Sequence, residues 1–268
     1  MKNIPEASGV FRGTETDIAH ILDPAGGHWA MVIESLEGKG SIRLHDKDPF
    51  TAASVIKIPV MMAAFHDARL GVLRLDDACV IRKEDKVGGS GVLKELHSGL
   101  RLTLLDAINL MIVVSDNTAT NLVIDAVGID RINEYMAEKG CSGSRLEAHL
   151  MRPKPGGPYN TITARDIALL LKGIWERTIE NPGDCDAMID ILKRQQYNDK
   201  IPRYLPKEAV CAHKTGEVTG VTHDAGIVIG PSASFVIVCL SQDLDDVEVG
   251  TDGIGKVAKW AYDILSET

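Results

Sequence analysis

The chain has 268 residues, 44% of them hydrophobic and 25% charged, with a formal net charge of −9. That length suits one large domain or two intimately packed ones with a sizeable core, and the composition is ordinary for a globular protein. The acidic balance, with no basic run, excludes a phosphate-binding face for nucleic acid, and no apolar stretch reaches membrane-spanning length.

The segment Met1-Lys2-Asn3-Ile4-Pro5-Glu6-Ala7-Ser8 lacks the apolar core of a signal peptide. The expected compartment is therefore the cytoplasm as the sequence stands, or the periplasm or exterior if a leader has been removed. Trp29 to Glu34 and Gly40 to Leu44 read as two strands joined by the turn Leu36-Glu37-Gly38-Lys39.

Ser54-Val55-Ile56-Lys57 follows, leading into Ile58-Pro59-Val60-Met61-Met62-Ala63-Ala64-Phe65. A run apolar on nearly every side predicts a buried helix. On such a helix Ser54 and Lys57 share a face, and burial lowers the lysine pKa. A neutral amine beside a hydroxyl can take its proton, which activates a nucleophile. The plain alternative is a helix-capping serine followed by a solvated lysine, since a Ser-x-x-Lys spacing occurs about once by chance in a chain of this size. Pro59 confines the helix start to its vicinity, because proline is costly beyond the first turn.

Gly88-Gly89-Ser90-Gly91 is a loop without the Gly-Lys-Ser/Thr ending of a phosphate cradle. Thr103 to Asp106 opens a helix with a capping-box pattern, and Thr163 to Asp166 opens another. Between them lie Ser115-Asp116-Asn117 and the loop Pro153 to Pro158. From Thr51 to about Leu205 the reading is mostly helical. Strands return at Ala209 to His213, Ala225 to Ile229 and Ser234 to Leu240, and Lys256 to Ser266 reads as a final amphipathic helix.

This pattern predicts a two-lobed α+β fold: an antiparallel sheet flanked by N- and C-terminal helices, with an all-helical lobe inserted. The expected units are residues 1–50 and 208–268 for the sheet lobe and 51–207 for the helical lobe, with the site in the cleft between them. Cys79, Cys141, Cys185, Cys211 and Cys239 are widely spaced and form no Cys-x-x-Cys pair. Neither a zinc site nor a redox motif is indicated, no ligand cluster of metal spacing is present, and no cofactor is expected.

Lys214-Thr215-Gly216 closes the strand that begins at Ala209. Each short motif has a bland reading: Ser115-Asp116-Asn117 as a turn or helix cap, Lys214 as an edge-strand lysine, His213 as a packed histidine. All three motifs in this order and setting carry more weight, and the trio is that of class A β-lactamases and penicillin-binding proteins. The chain resembles the class A β-lactamase family, within the wider penicillin-recognising serine enzymes, from about Trp29 to its C-terminus. Ser54 to Pro59, Ser115 to Leu122 and His213 to Gly216 carry the likeness most specifically, with Gln195 to Pro202 beside them.

The resemblance implies a two-lobed serine hydrolase acting on a small molecule through an acylated Ser54. Lys57 would ease its deprotonation, and Ser115, held by Lys57 and Lys214, would pass a proton to the leaving nitrogen. Asn117 would bind a substrate amide, Lys214 and Thr215 a substrate carboxylate, and Gly216 would lie along the bound substrate. The backbone amides of Ser54 and Glu217 would form an oxyanion hole, an arrangement that contributes roughly 3 to 4 kcal/mol. Asp116 is expected to be structural.

The sequence departs from the family twice. Class A enzymes carry a Glu-x-x-x-Asn element whose glutamate activates the deacylating water. Here Leu150 occupies the expected glutamate position, and Glu147 and His149 are the nearby groups able to act as a base. No arginine follows Lys214-Thr215-Gly216, where Val221-Thr222-His223-Asp224 stands instead. Three activities remain open: opening of β-lactams or related amides and esters, a D-Ala-D-Ala carboxypeptidase-like or esterase activity on the same scaffold, and a β-lactam-binding sensor acylated without release.

Overall fold

A computed structural model describes residues 6–152 and 155–267. The segments read above at Met1 to Pro5 and at Pro153-Lys154 lie outside the described residues. In chain order the elements are β1 (Glu6–Ala7), α1 (Glu15–Leu22), β2 (His28–Ser35), β3 (Ser41–Leu44), β4 (Phe50–Thr51), α2 (Lys57–Arg69), β5 (Ala78–Val80), β6 (Arg101–Thr103), α3 (Leu104–Val113), α4 (Asn117–Val127) and α5 (Ile129–Glu138). There follow β7 (Thr161–Ile162), α6 (Ala164–Glu176), α7 (Pro182–Lys193), β8 (Val210–Val218), β9 (Val221–Ile229), β10 (Ser234–Gln242) and α8 (Val247–Ser266).

The architecture is α+β. Six strands form one sheet in the order β1-β3-β2-β10-β9-β8, with every neighbouring pair antiparallel. Its strands come from both ends of the chain, as the two groups of Val- and Ile-rich stretches predict. β2 shows why the sheet is buried on both faces. Successive side chains alternate across a strand. Met31 and Ile33 enter a core with Phe11, Ile18, Phe235 and Ile254, supplied in part by α1 and α8. Ala30 and Val32 enter a second core with residues of α2, α3, α6 and α7. The sheet is therefore the common wall of two hydrophobic layers.

Helix α2 is buried from Lys57 through Phe65, in agreement with its apolar run. Pro59 is its third residue, within the first turn, where an absent amide proton forfeits no helical hydrogen bond. Thr103 and Thr163 cap α3 and α6, each accepting from the backbone amide three residues on. The mostly helical stretch also holds two small antiparallel pairs, β4 with β7 and β5 with β6, too short to register as strands in the sequence. Among the described residues, no helix is long and apolar enough to cross a membrane.

Candidate active site

Ser54 lies in a 3₁₀ turn, Ala53–Ile56, and Lys57 is the first residue of α2. In a 3₁₀ turn residues three apart eclipse, so the two side chains leave the backbone on one side. Ala53 enters the turn with φ of 43°, a left-handed conformation that costs a residue with a Cβ roughly 1 to 2 kcal/mol. Ser115, between α3 and α4, has φ of 54°. Such conformations persist only where their surroundings over-determine them.

Asp116 supplies much of that determination. Its Oδ1 accepts from the Ala119 amide at 2.8 Å and caps α4, while Oδ2 accepts from the Val92 and Leu93 amides at 2.6 and 2.8 Å. The glycine loop is thereby clamped to the start of α4. The Asn117 amide donates to the Ser90 carbonyl at 3.1 Å, and a Cβ on Gly91 would lie 2.4 Å from Asp116 Cα, so only glycine fits there.

Two lysines converge on Ser115. Lys57 Nζ lies 3.0 Å from Ser115 Oγ, 2.8 Å from the Ser115 carbonyl and 2.8 Å from Asn117 Oδ1. Lys214 Nζ, from β8, donates to Ser115 Oγ at 3.0 Å and to the Thr215 carbonyl at 2.7 Å. Both lysines are fully buried. Burial pushes the Lys57 amine well below the ordinary lysine range, and the Lys214 charge pushes the same way against a smaller opposing pull from Asp116. Burial brings Lys214 down to about 7, with Asp224 and Glu217 opposing and Lys200 adding to the fall.

A neutral Lys57 amine has two hydrogens and one lone pair. The Ser115 carbonyl and Asn117 Oδ1 can only accept, so they take the hydrogens. The lone pair then faces Ser115 Oγ, whose hydroxyl donates to it, while Lys214 donates to that same oxygen. The arrangement can take up and hand back a proton at Ser115 Oγ. Among the described residues no hydrogen bond joins Lys57 to Ser54, so the amine engages Ser115 rather than the turn serine that the sequence spacing suggested.

Ser54 and Ser115 line one cleft of about 410 Å³, with Thr215, Gly216 and Glu217 on one wall. A Cβ on Gly216 would sit 3.1 Å from the Ser54 amide nitrogen and 3.2 Å from Ala53 Cβ, so this glycine lets β8 approach the serine turn closely. Ser90 and Gln196 to Asp199 complete the lining of the cleft. Asn117 is buried at the cleft's edge, with Oδ1 on Lys57 and Nδ2 donating to the Gly88 carbonyl at 3.1 Å.

The wall from Gln195 onward is the part that site assignment from sequence missed. Gln195 Oε1 accepts from the Gln196 and Tyr197 amides, and its Nε2 donates to the Ile112 carbonyl at 2.8 Å, which docks the segment on the end of α3. Lys200, fully buried, donates to Glu217 and lies 3.5 Å from Asp199 Oδ1. His213 is a packed histidine with a bridging position: Nδ1 lies 2.9 Å from Asp224 Oδ1 and Nε2 lies 3.1 Å from Asn198 Oδ1. The only advance signal was the Gln195 to Pro202 stretch itself.

Glu147 and His149 are placed elsewhere. Glu147 Oε1 accepts from Arg145 Nε at 2.8 Å, His149 Nε2 lies 2.7 Å from Asp125 Oδ1, and neither lines the cleft. Leu150 is fastened through its backbone to Asn121, whose Oδ1 and Nδ2 engage its amide and carbonyl at 2.8 and 3.0 Å. His223, in the stretch that lacks the arginine, is buried inside β9. Its Nε2 faces the Thr51 carbonyl, its Nδ1 accepts from the Ser241 amide, and burial lowers its pKa to about 4.

Residues 13–265 match the beta-lactamase enzyme family. The chain belongs to that family. Among β-lactamases of known structure, the enzyme from Sphaerobacter thermophilus is 35% identical, with a TM-score of 0.90 over 96% of this chain and 98% of that one. The structure of the protein called PBP-A is 28% identical, with a TM-score of 0.86 over 94% and 96% of the two chains. Beta-lactamase 3 of Bacillus cereus is 24% identical over 85% of this chain and 74% of that protein. Membership of the β-lactamase family makes the protein a hydrolase of the β-lactamase type with a small-molecule substrate.

Proposed function

We propose that the protein opens β-lactams or related amides and esters by forming an acyl-enzyme on Ser54, and that it releases the acyl group slowly. The observation that carries this reading is the convergence of Lys57 and Lys214 on Ser115 Oγ in the cleft that Ser54 lines. Ser54 Oγ attacks the carbonyl carbon. Its proton passes to the basic pair formed by Lys57 and Ser115, and Ser115 returns a proton to the departing nitrogen or oxygen. The amides of Ser54 and Glu217 receive the developing oxyanion, a role favoured by the close approach of Gly216 to the Ser54 turn. Thr215 and Lys214 bind an anionic group on the substrate.

Slow release follows from the carboxylates available. Asp199 and Glu217 are the acids lining the cleft, and both pair with Lys200. Leu150 offers no base at the position where the family places one. A variant of PBP-A is described as an acyl-enzyme complex with penicillin G, which supports acylation as the retained half-reaction on this scaffold.

A chromogenic cephalosporin, followed by colour and by intact mass, tests the proposal. The expected outcome is a stoichiometric burst with a persistent mass increase, absent in Ser54→Ala. Sustained turnover would overturn slow release, and an unchanged burst in Ser54→Ala would remove Ser54 from the mechanism. The absence of any burst, with activity on a p-nitrophenyl ester, would favour the esterase reading.

A further inference from the structure

We propose that His28, His45 and Asp48 form a binding site for a divalent ion of the zinc class, at the end of the sheet where β2, β3 and β4 meet. His45 and Asp48 are three residues apart and His28 lies seventeen before His45, a spacing that matches no common zinc-ligand pattern. The fold brings one potential ligand atom from each within 4.8 Å of the others, and His28 Nε2 lies 3.0 Å from Asp48 Oδ2. Ligand atoms held at about 2.0 to 2.2 Å around one tetrahedral zinc lie a little over 3 Å apart, a separation that His28 Nε2 and Asp48 Oδ2 nearly have already, and the remaining pairs must draw in from at most 4.8 Å. Two imidazoles and one carboxylate suit zinc, nickel or copper, not calcium or magnesium, which take oxygen.

Three further features prepare the site. His45 Nδ1 lies 2.8 Å from the Trp29 carbonyl, which can only accept, so Nδ1 carries a proton and Nε2 is the nitrogen that would meet an ion. Metal-binding histidines characteristically donate their second ring nitrogen to a carbonyl or carboxylate in this way. The His28 ring stacks on buried Phe50, with centroids 5.2 Å apart and planes 8° from parallel, which fixes its orientation.

His45 also holds a left-handed backbone, φ 44°, in a turn closed by the Asp48 amide on the His45 carbonyl at 3.0 Å. That conformation brings His45 and Asp48 together at a cost the sequence could have avoided with glycine. The turn is anchored away from the site by Asp46, whose carboxylate faces Arg43 and whose carbonyl accepts from the Arg165 amide.

The test uses the full chain, stripped with chelator and titrated with zinc chloride by calorimetry, and with cobalt(II) by visible absorption. The expected result is uptake of one ion per chain with the ligand-field bands of a low-coordinate cobalt site. His28→Gln, His45→Asn and Asp48→Asn should each weaken binding tenfold or more. Asparagine at 45 tolerates the left-handed turn, so that variant keeps the fold, and thermal melts in chelator check each protein. Failure to take up one ion, or binding that survives all three substitutions and so belongs to the cysteine thiols, overturns the proposal. The outcome is independent of the acylation chemistry, since none of the three residues lines the cleft.

Discussion

Lys214 concentrates the electrostatic cost of this site in one side chain. The unfolded chain holds its proton up to about pH 10.5, whereas burial brings the folded-state value to about 7. Between those limits the unfolded state binds more protons, so stability rises with pH, and below about pH 7 the full penalty is present. Each pH unit inside the window is worth about 1.4 kcal/mol. Replacing Lys214 with methionine keeps the volume and removes the titration. Urea unfolding at about pH 7 and about pH 9 should therefore show the wild type gaining roughly 2 to 3 kcal/mol relative to Lys214→Met. Equal differences at both pH values would mean that Lys214 titrates as it does in the unfolded chain. The same variant should acylate far more slowly, because the hydrogen bond to Ser115 Oγ is gone.

At the scale of elements, the junction of α3 and α4 depends on Asp116. Its carboxylate accepts three backbone amides, of which one is the α4 cap and two belong to the loop ending at Leu93. A cap is worth about 1 kcal/mol, and each of the two loop amides left without its charged acceptor costs about 1 to 3 more. Asp116→Ala should thus lower stability by about 3 to 7 kcal/mol in urea unfolding, with Asp116→Asn in between; a loss under about 1 kcal/mol would show that the loop re-pairs without it.

Only half of this junction was legible in advance. Ser115-Asp116-Asn117 stands out as a string, as does Thr103 with Asp106, because helix caps are local. The clamp on Val92 and Leu93 joins residues more than twenty apart, and no spacing encodes it. Helix α8 shows the opposite failure. It starts at Val247, well before Lys256, where its apolar periodicity becomes plain. Gly250, Gly253 and Gly255 mask the first half, and each fills a close approach: a Cβ on Gly255 would lie 2.9 Å from the Lys200 carbonyl, and one on Gly250 would lie 2.8 Å from Leu244. Glycine there weakens helix propensity and permits packing, and packing prevails.

For the whole molecule, the question is whether the sheet and the helices that cover it can part company. The site needs both, since Ser115 comes from the α3–α4 junction and Lys214 from β8. The core argues that they cannot separate: Ala30, Val32, Val236 and Val238 of the central strands share one cluster with Met61, Ile108, Leu170 and Leu192 of the helices. That surface has no water-facing alternative without exposing a continuous apolar wall, so local unfolding of the helical part carries nearly the full cost of global unfolding. The tryptophans allow a direct reading. Trp29 packs in the core under α8 and Trp260 lies on α8 itself, while Trp175 is on α6 and packs against the other layer. Urea unfolding of Trp29→Phe/Trp260→Phe, which reports only Trp175, should coincide with that of Trp175→Phe, once each curve is referred to its own far-ultraviolet circular dichroism. Separate midpoints for fluorescence and circular dichroism in either variant would show that the two layers unfold in turn, and that the cleft is lost before the sheet.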